Sequence, residues 1–211
     1  MTSAVAVRRT GQADFQRRRK QDSCDQLLAA ASVAFCASGY FSVSVEDIAS
    51  AAGVSRMTFY RHFSGKSAIA SELFRRNAAA AMPRLLAIGR GDFRDRKAAE
   101  GWIAELFAAD RASRQLLRVF IQANVDEPGF TENAHSFIDD IIIGLAQTIP
   151  AFALDRREPH GRRRWLEAWL LIYEILDQSN HAARESGIAT DPLIIEILAE
   201  RFIAFVRAEA A

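Results

Sequence analysis

The chain has 211 residues, half of them hydrophobic and a quarter charged, which is enough to bury one large core or two small ones and too apolar for a disordered chain. Its formal net charge of +1 hides an asymmetry, because residues 1–66 carry nine Lys/Arg against five Asp/Glu and residues 67–211 carry eighteen against twenty-one. The basic N-terminal third is the part that a phosphate backbone would attract.

Cys24 and Cys36 fall on one expected helix, roughly 18 Å apart along its axis, so they cannot bridge each other. Neither has the partner spacing of a zinc site, and both read as small buried hydrophobes of a reducing compartment. Met1 to Lys20 lacks the apolar core of a secretory signal. The longest apolar stretch, Ile141 to Leu154, is interrupted by Gln147, Thr148 and Pro150 and is too short for a bilayer. A cytoplasmic protein without a cofactor is expected.

Residues 1–20 show no helical period and end in Arg17-Arg18-Arg19-Lys20, which reads as a flexible basic arm able to reach DNA phosphates or a minor groove. From Ser23, Leu27, Leu28, Ala31, Ala34 and Phe35 recur at helical spacing until Gly39 closes the first helix. Ser44 precedes Glu46 and Asp47, an acid-rich first turn with a carboxylate three places after the cap. Ile48, Ala49 and Ala52 then give a short second helix an apolar stripe up to Gly53. Ser55 caps a third short helix through Phe63, with Phe59 and Phe63 facing the core. Beyond Lys66, helices are expected at 67–88, 96–109, 112–125, 131–148, 162–186 and 192–208. The breaks are Gly89 to Asp92, Asp126 to Gly129, Pro150 to Gly161 and Gly187 to Asp191. No alternating run argues for a strand, so the expected fold is all-α with about nine helices. The division is an arm at 1–20, a DNA-binding domain at 21–66 and a helical domain at 67–211.

The linker Ala52-Gly53-Val54-Ser55 carries the functional argument. Glycine turns sharply without strain, Val54 plugs the angle between two short helices, and Ser55 caps the second so that its first residues project outward. That is the spacing of a helix-turn-helix, whose second helix enters a major groove.

Residues 39–66, including Ile48-Ala49, Ala52-Gly53-Val54-Ser55, Thr58-Phe59-Tyr60, His62-Phe63 and Lys66, closely resemble the DNA-binding domain of TetR-family transcriptional regulators. The resemblance extends over the first helix and covers a quarter to a third of the chain. It implies that Ser44, Tyr60, His62 and Lys66 grip phosphates, and that Arg56, Met57, Thr58 and Arg61, following the Ser55 cap, face bases or the groove edge. Arg56 and Arg61 are the candidates for reading guanine, since a guanidinium donates two hydrogen bonds to O6 and N7. Met57 departs from the glycine or proline often found there in the family, and Glu46 is awkward beside phosphates, where it serves the helix dipole or a protein neighbour.

In the family the C-terminal helices dimerise and enclose a small-molecule pocket. Trp165, Trp169, Ile172 and Leu176 form one stripe of the 162–186 segment, with Leu166, Leu170 and Tyr173 on an adjoining one. Leu193, Ile194, Ile197, Leu198, Phe202 and Phe205 repeat the theme in the last helix, suiting a four-helix homodimer seam. A two-fold dimer predicts a palindromic operator, and a ligand that rotates the helix after Lys66 would break the match to successive grooves. Met82, Leu86, Trp102, Leu106, Phe120, Asn124, Phe137, Ile141, Trp169 and Tyr173 fall on the helices that line the pocket in relatives and are the candidate lining, which suits a largely apolar effector. Most relatives repress. The rivals are an enzyme and a helical interaction module. No Ser/His/Asp spacing or phosphate-binding glycine loop supports the first, for which a metal group of His135, Asp139 and Glu174 is the one conceivable centre. Met57 and Glu46 are the only hints of the second.

Overall fold

A computed structural model of the protein describes the backbone of residues 3–126 and 129–208 and the side chains of residues 18–126 and 132–208. Among these residues the chain is all-α, with nine α-helices, three short 3-10 turns and no strand. The helices are α1 (Ser3–Ser38), α2 (Val45–Ala51), α3 (Arg56–His62), α4 (Lys66–Leu85), α5 (Arg96–Ala112), α6 (Arg114–Asp126), α7 (Gly129–Leu145), α8 (Pro159–Ala183) and α9 (Leu193–Arg207). The break expected at 126–129 includes Glu127 and Pro128, which lie outside the described residues. No described helix is long and apolar enough to cross a membrane.

The largest departure from expectation is at the N-terminus. α1 is continuous from Ser3, so the stretch assigned to an aperiodic arm is helical over residues 3–20, with Arg18, Arg19 and Lys20 exposed. An apolar period is needed for a helix to bury a face, but not for the backbone to coil. Ala, Arg, Gln and Lys favour the helix intrinsically, and no proline interrupts them. Ser23, expected to open the helix, lies within it and donates its hydroxyl to the Arg19 carbonyl at 2.6 Å. α4 ends at Leu85 rather than 88: the Leu86 N–H still reaches the Met82 carbonyl at 3.0 Å, and residues Ala87–Arg90 then tighten into a 3-10 turn.

The chain forms two compact units, Met1–Phe74 with Arg118–Glu127, and Arg75–Leu117 with Pro128–Ala211. The first therefore takes in the start of α4 and the end of α6, beyond the boundary drawn at residue 66. Its core is Leu27, Leu28, Ala31 and Phe35 of α1 against Ile48 and Ala49 of α2, Phe59 of α3, and Ile69, Ala70 and Leu73 of α4. Tyr40 is fully buried among them. Its backbone N–H donates to Gln122 Oε1 at 2.9 Å and its hydroxyl to Asp126 Oδ2 at 2.8 Å, so α6 closes the unit through polar bonds to the loop after α1.

In the second unit α5, α8 and α9 pack on one another and α7 on α8. The face of α5 that carries Trp102, Ile103, Leu106 and Phe107 is buried against Leu171, Ile172 and Ile175 of α8 and Leu198 and Phe202 of α9. The rings of Trp102 and Phe202 lie 5.2 Å apart, and Phe152 lies 4.9 Å from Phe205. Trp102 satisfies its indole N–H on the Arg84 carbonyl at 3.1 Å. Gly144 on α7 lets Leu86 approach closely, since a Cβ there would sit 2.8 Å from its methyls. Outside the core, Arg96 of α5 pairs with Glu100 on its own helix and with Glu196 and Glu200 of α9.

One polar pair sits inside this unit. Ser179, fully buried on α8, donates its hydroxyl to Asp110 Oδ2 of α5 at 2.6 Å. Burial pushes the Asp110 carboxyl above the usual carboxylate range, and the Ser179 bond and the Arg84 charge only partly offset this. Its raised folded-state pKa means that Asp110 supports the fold when protonated and loses that contribution as pH rises. Asp110→Asn keeps an acceptor for Ser179 and removes the buried charge. Its Tm should exceed that of the parent at pH 7, with the gap closing as pH falls below about 4, where the unfolded Asp is protonated as well; thermal unfolding across that pH range checks it.

Candidate nucleic-acid interface

The local sequence builds the reading head from both ends of its turn. Ser44 caps α2 reciprocally with Asp47: the Asp47 N–H donates to Ser44 Oγ at 3.1 Å, and the Ser44 N–H donates to Asp47 Oδ2 at 2.9 Å. The Ser44 hydroxyl also donates to that carboxylate at 2.6 Å, and these bonds, the hydroxyl's first, hold the Asp47 carboxyl below its ordinary range. At the other end of α2 the Val54 N–H reaches Ala49 O and the Gly53 N–H reaches Ser50 O, both at 3.0 Å, the paired bonds of a Schellman motif. Gly53 has φ +66°, and nothing lies within 4 Å of where its Cβ would be, so backbone conformation rather than space demands glycine there. Ser55 then caps α3, accepting from the Thr58 N–H at 3.1 Å, with its hydroxyl 3.0 Å from the Thr58 hydroxyl.

α3 divides its residues sharply. Phe59 and Phe63 are buried with their rings 5.9 Å apart, while Arg56, Met57, Tyr60 and Arg61 are exposed. Met57 is 79% exposed and Tyr60 43%, and the Tyr60 ring rests edge-on against Phe59. Arg56 is not free on that face. Its Nη1 lies 2.7 Å from Glu46 Oε1 on α2, and its guanidinium carbon lies 5.5 Å from the centre of the Tyr60 ring. The Tyr60 hydroxyl, and after it the Glu46 carboxylate, hold Arg56 still more firmly in its charged form. This pair resolves the oddity of Glu46, which occupies the first turn of α2 and also meets the first residue of α3.

The other residues expected at DNA are less available. The Thr58 and Ser44 hydroxyls are engaged in caps. His62 is half-buried, and its Nε2 has neither solvent nor a hydrogen-bond partner. Burial first, then the charges of Arg61 and Lys20, holds its imidazole below the usual range, so at neutral pH it brings no charge to a phosphate. The Lys66 ammonium stands over the ring of Tyr40 at 4.4 Å, a cation–π contact with a residue that sequence reasoning did not single out. Tyr40 lies in a loop where no periodicity marks a residue as buried.

The ten residues expected at an effector pocket are divided between the two units. Phe120 and Asn124 belong to the first unit, Phe120 buried with its ring 5.3 Å from Phe74 and Asn124 exposed. In the second, Trp102, Leu106 and Ile141 are core, Met82, Leu86, Phe137 and Trp169 are half-buried against it, and Tyr173 is exposed and stacked on Trp169 at 5.4 Å. None of the ten lines the cleft of 510 Å³ in this unit. It is formed instead by Ile142, Ile143 and Ala146 of α7, the Phe152 to Arg157 loop and Trp165 of α8. His135, Asp139 and Glu174 form no metal cage, and no cluster of metal-ligating side chains exists among the described residues. His135 packs on Trp169 and Glu174 is held by Arg201.

An all-helical chain whose N-terminal helix-turn-helix presents arginine, tyrosine and methionine from its second helix belongs to the helix-turn-helix DNA-binding class. Residues 27–73 match the family model of bacterial regulatory proteins of the tetR family. Similar solved structures include a candidate TetR-family transcriptional regulator from Mesorhizobium loti MAFF303099, at 18% identity over 90% of this chain and 98% of that one with a TM-score of 0.62. A candidate transcriptional regulator from Streptomyces coelicolor A3(2) matches at 21% over 84% and 98%, TM-score 0.62, and a TetR family transcription regulator from Marinobacter aquaeolei VT8 at 19% over 90% and 97%, TM-score 0.53. No curated protein matches the chain. The chain carries the DNA-binding domain of the TetR-family regulators and has their fold.

Exposed on the same helix, Tyr60 and Arg56 are expected to differ in what they contribute to duplex binding. Tyr60→Ala should weaken binding to every duplex alike, whereas Arg56→Ala should lose preference at one base pair of each half-site, by about 5- to 100-fold for a lost bidentate contact. Titration of each variant against the preferred duplex and single-substituted duplexes distinguishes them, and equal losses on all sequences for both would remove the distinction.

Proposed function

We propose that this protein is a sequence-specific repressor that binds a palindromic operator as a homodimer and is released by a small, largely apolar ligand. The observation that carries the DNA-binding part is the face of α3, where Arg56, Met57, Tyr60 and Arg61 stand in solvent on a helix fixed by two caps. Direct readout needs such a rigid helix with its N-terminal side chains free to enter the major groove.

Dimerisation is supported by apolar side chains left in solvent on the last two helices. α8 exposes Leu166, Leu170 and Tyr173 while burying Ala168, Leu171, Ile172 and Ile175, and α9 exposes Leu193 and Ile197 while burying Ile194, Leu198 and Phe202. An amphipathic helix that needs only its own core would place polar groups at those outer positions. A two-fold pair places the two recognition helices about 34 Å apart, one turn of DNA, which makes symmetry in the operator the expected counterpart of symmetry in the protein. For the effector, the half-buried Met82, Leu86, Phe137 and Trp169 are the side chains that an apolar guest would part, with Trp102, Leu106 and Ile141 behind them. Release then follows if the guest binds more tightly to a state in which the two heads no longer fit successive grooves.

Selection of bound duplexes from a random pool at physiological salt tests the central reading. The expected result is a two-fold symmetric site of about 15–20 base pairs. Absence of enrichment, with weak binding that vanishes as salt rises, would overturn it. Leu170, 61% exposed, gives the test of the seam: Leu170→Glu should leave helix content unchanged, yield a monomer by sedimentation and weaken operator binding. A dimer that survives this substitution places the seam elsewhere.

A further inference from the structure

Glu46 and Arg56 face each other across the turn, Glu46 in the first turn of α2 and Arg56 as the first residue of α3. Both side chains are more than half exposed, 54% and 64%, and their charged atoms are 2.7 Å apart. An ion pair so open to water adds little to stability, so the fold gives no reason for it. A carboxylate beside the recognition helix also opposes the approach of phosphates. Its compensating effect is on Arg56. A free arginine at the start of a recognition helix samples many rotamers, and ordering it on a base has an entropic cost. Glu46 holds Nη1, and the second Nη nitrogen lies 3.5 Å from the Tyr60 hydroxyl, a long contact. The guanidinium is thus biased towards a position between α2 and α3 on the exposed side of the turn, and it keeps N–H donors in excess of those two partners.

We infer that Glu46 is a specificity-determining positioning residue, which holds Arg56 in one orientation for reading a guanine and disfavours sequence-independent binding by its own charge. The assignment rests on the DNA-binding reading above. Glu46 trades affinity for discrimination. Its negative charge weakens attachment to any backbone, and the preorganised Arg56 restores binding only where a guanine presents O6 and N7.

The test uses the full-length protein with the duplex recovered by selection, its single-base-pair variants and a random-sequence duplex. Glu46→Ala should cut the preference at the base pair read by Arg56 by about two- to fivefold, while binding to the random duplex tightens or stays the same. Glu46→Gln, which keeps an acceptor for Arg56 and removes the charge, should fall between the two. In an Arg56→Ala background, Glu46→Ala should change base preference no further, which is the coupling a purely structural residue would not show. If Glu46→Ala leaves the base profile unaltered, or weakens all duplexes equally, the assignment is overturned while the DNA-binding reading stands. If the parent protein itself enriches no sequence, that reading has failed, and the parent measurement shows it before any variant is made.

Discussion

Two helices of seven residues each cannot hold themselves together in water, since nucleation of a helix is unfavourable and so short a ladder cannot repay it. Everything the N-terminal unit presents to DNA depends on the turn between them. The Schellman bonds at Ala49 and Ser50 satisfy carbonyls at the end of α2, and the Ser55 cap satisfies a donor at the start of α3 two residues after Gly53. Little chain is left free to flex, so the direction of α3 follows from that of α2. α2 is in turn fixed by Ile48 and Ala49 against α1 and by its own reciprocal cap. The polar groups of the turn serve geometry before they serve any ligand.

That priority explains why the serine and threonine hydroxyls closest to the head are committed inside the protein. Ser44, Ser55 and Thr58 are engaged with one another or with Asp47, and His62 has its Nε2 packed away from solvent. What remains outward is long or broad: Arg56, Met57, Tyr60 and Arg61. Long side chains can reach a groove from a rigid base, whereas a short hydroxyl acts only where the backbone already is. The structure therefore divides labour along α3 by side-chain length.

The same division marks what could be read in the sequence. Both caps, the glycine turn and the inward pair Phe59 and Phe63 were legible because each is a local rule linking residues three or four apart. The second-unit helices were legible to within a few residues because apolar spacing reports burial. Residues 3–20 were not, since a helix without an apolar face leaves no period and its propensity is only a weak signal. The pairs Glu46 with Arg56 and Lys66 with Tyr40 were not either, because they join residues ten and more positions apart that only the folded turn brings together. For the effector pocket, apolar residue type cannot distinguish a side chain that fills a core from one that lines a void. Trp102, Leu106 and Ile141 fill it, and Phe120 lies in the other unit altogether.

The charge asymmetry of the chain gains a sharper meaning from these contacts. Nine basic residues against five acidic ones in residues 1–66 is a modest surplus, and the contacts reduce what it offers a phosphate. Arg56 is paired with Glu46, Lys66 rests on an aromatic ring, and the His62 imidazole is held below its usual range. On the reading proposed above, engagement of Arg56 and Lys66 lowers what these two side chains gain from counterion release on arbitrary DNA. The engagement of charge at the reading head is set by residues of α2, α4 and the loop after α1 as much as by α3 itself.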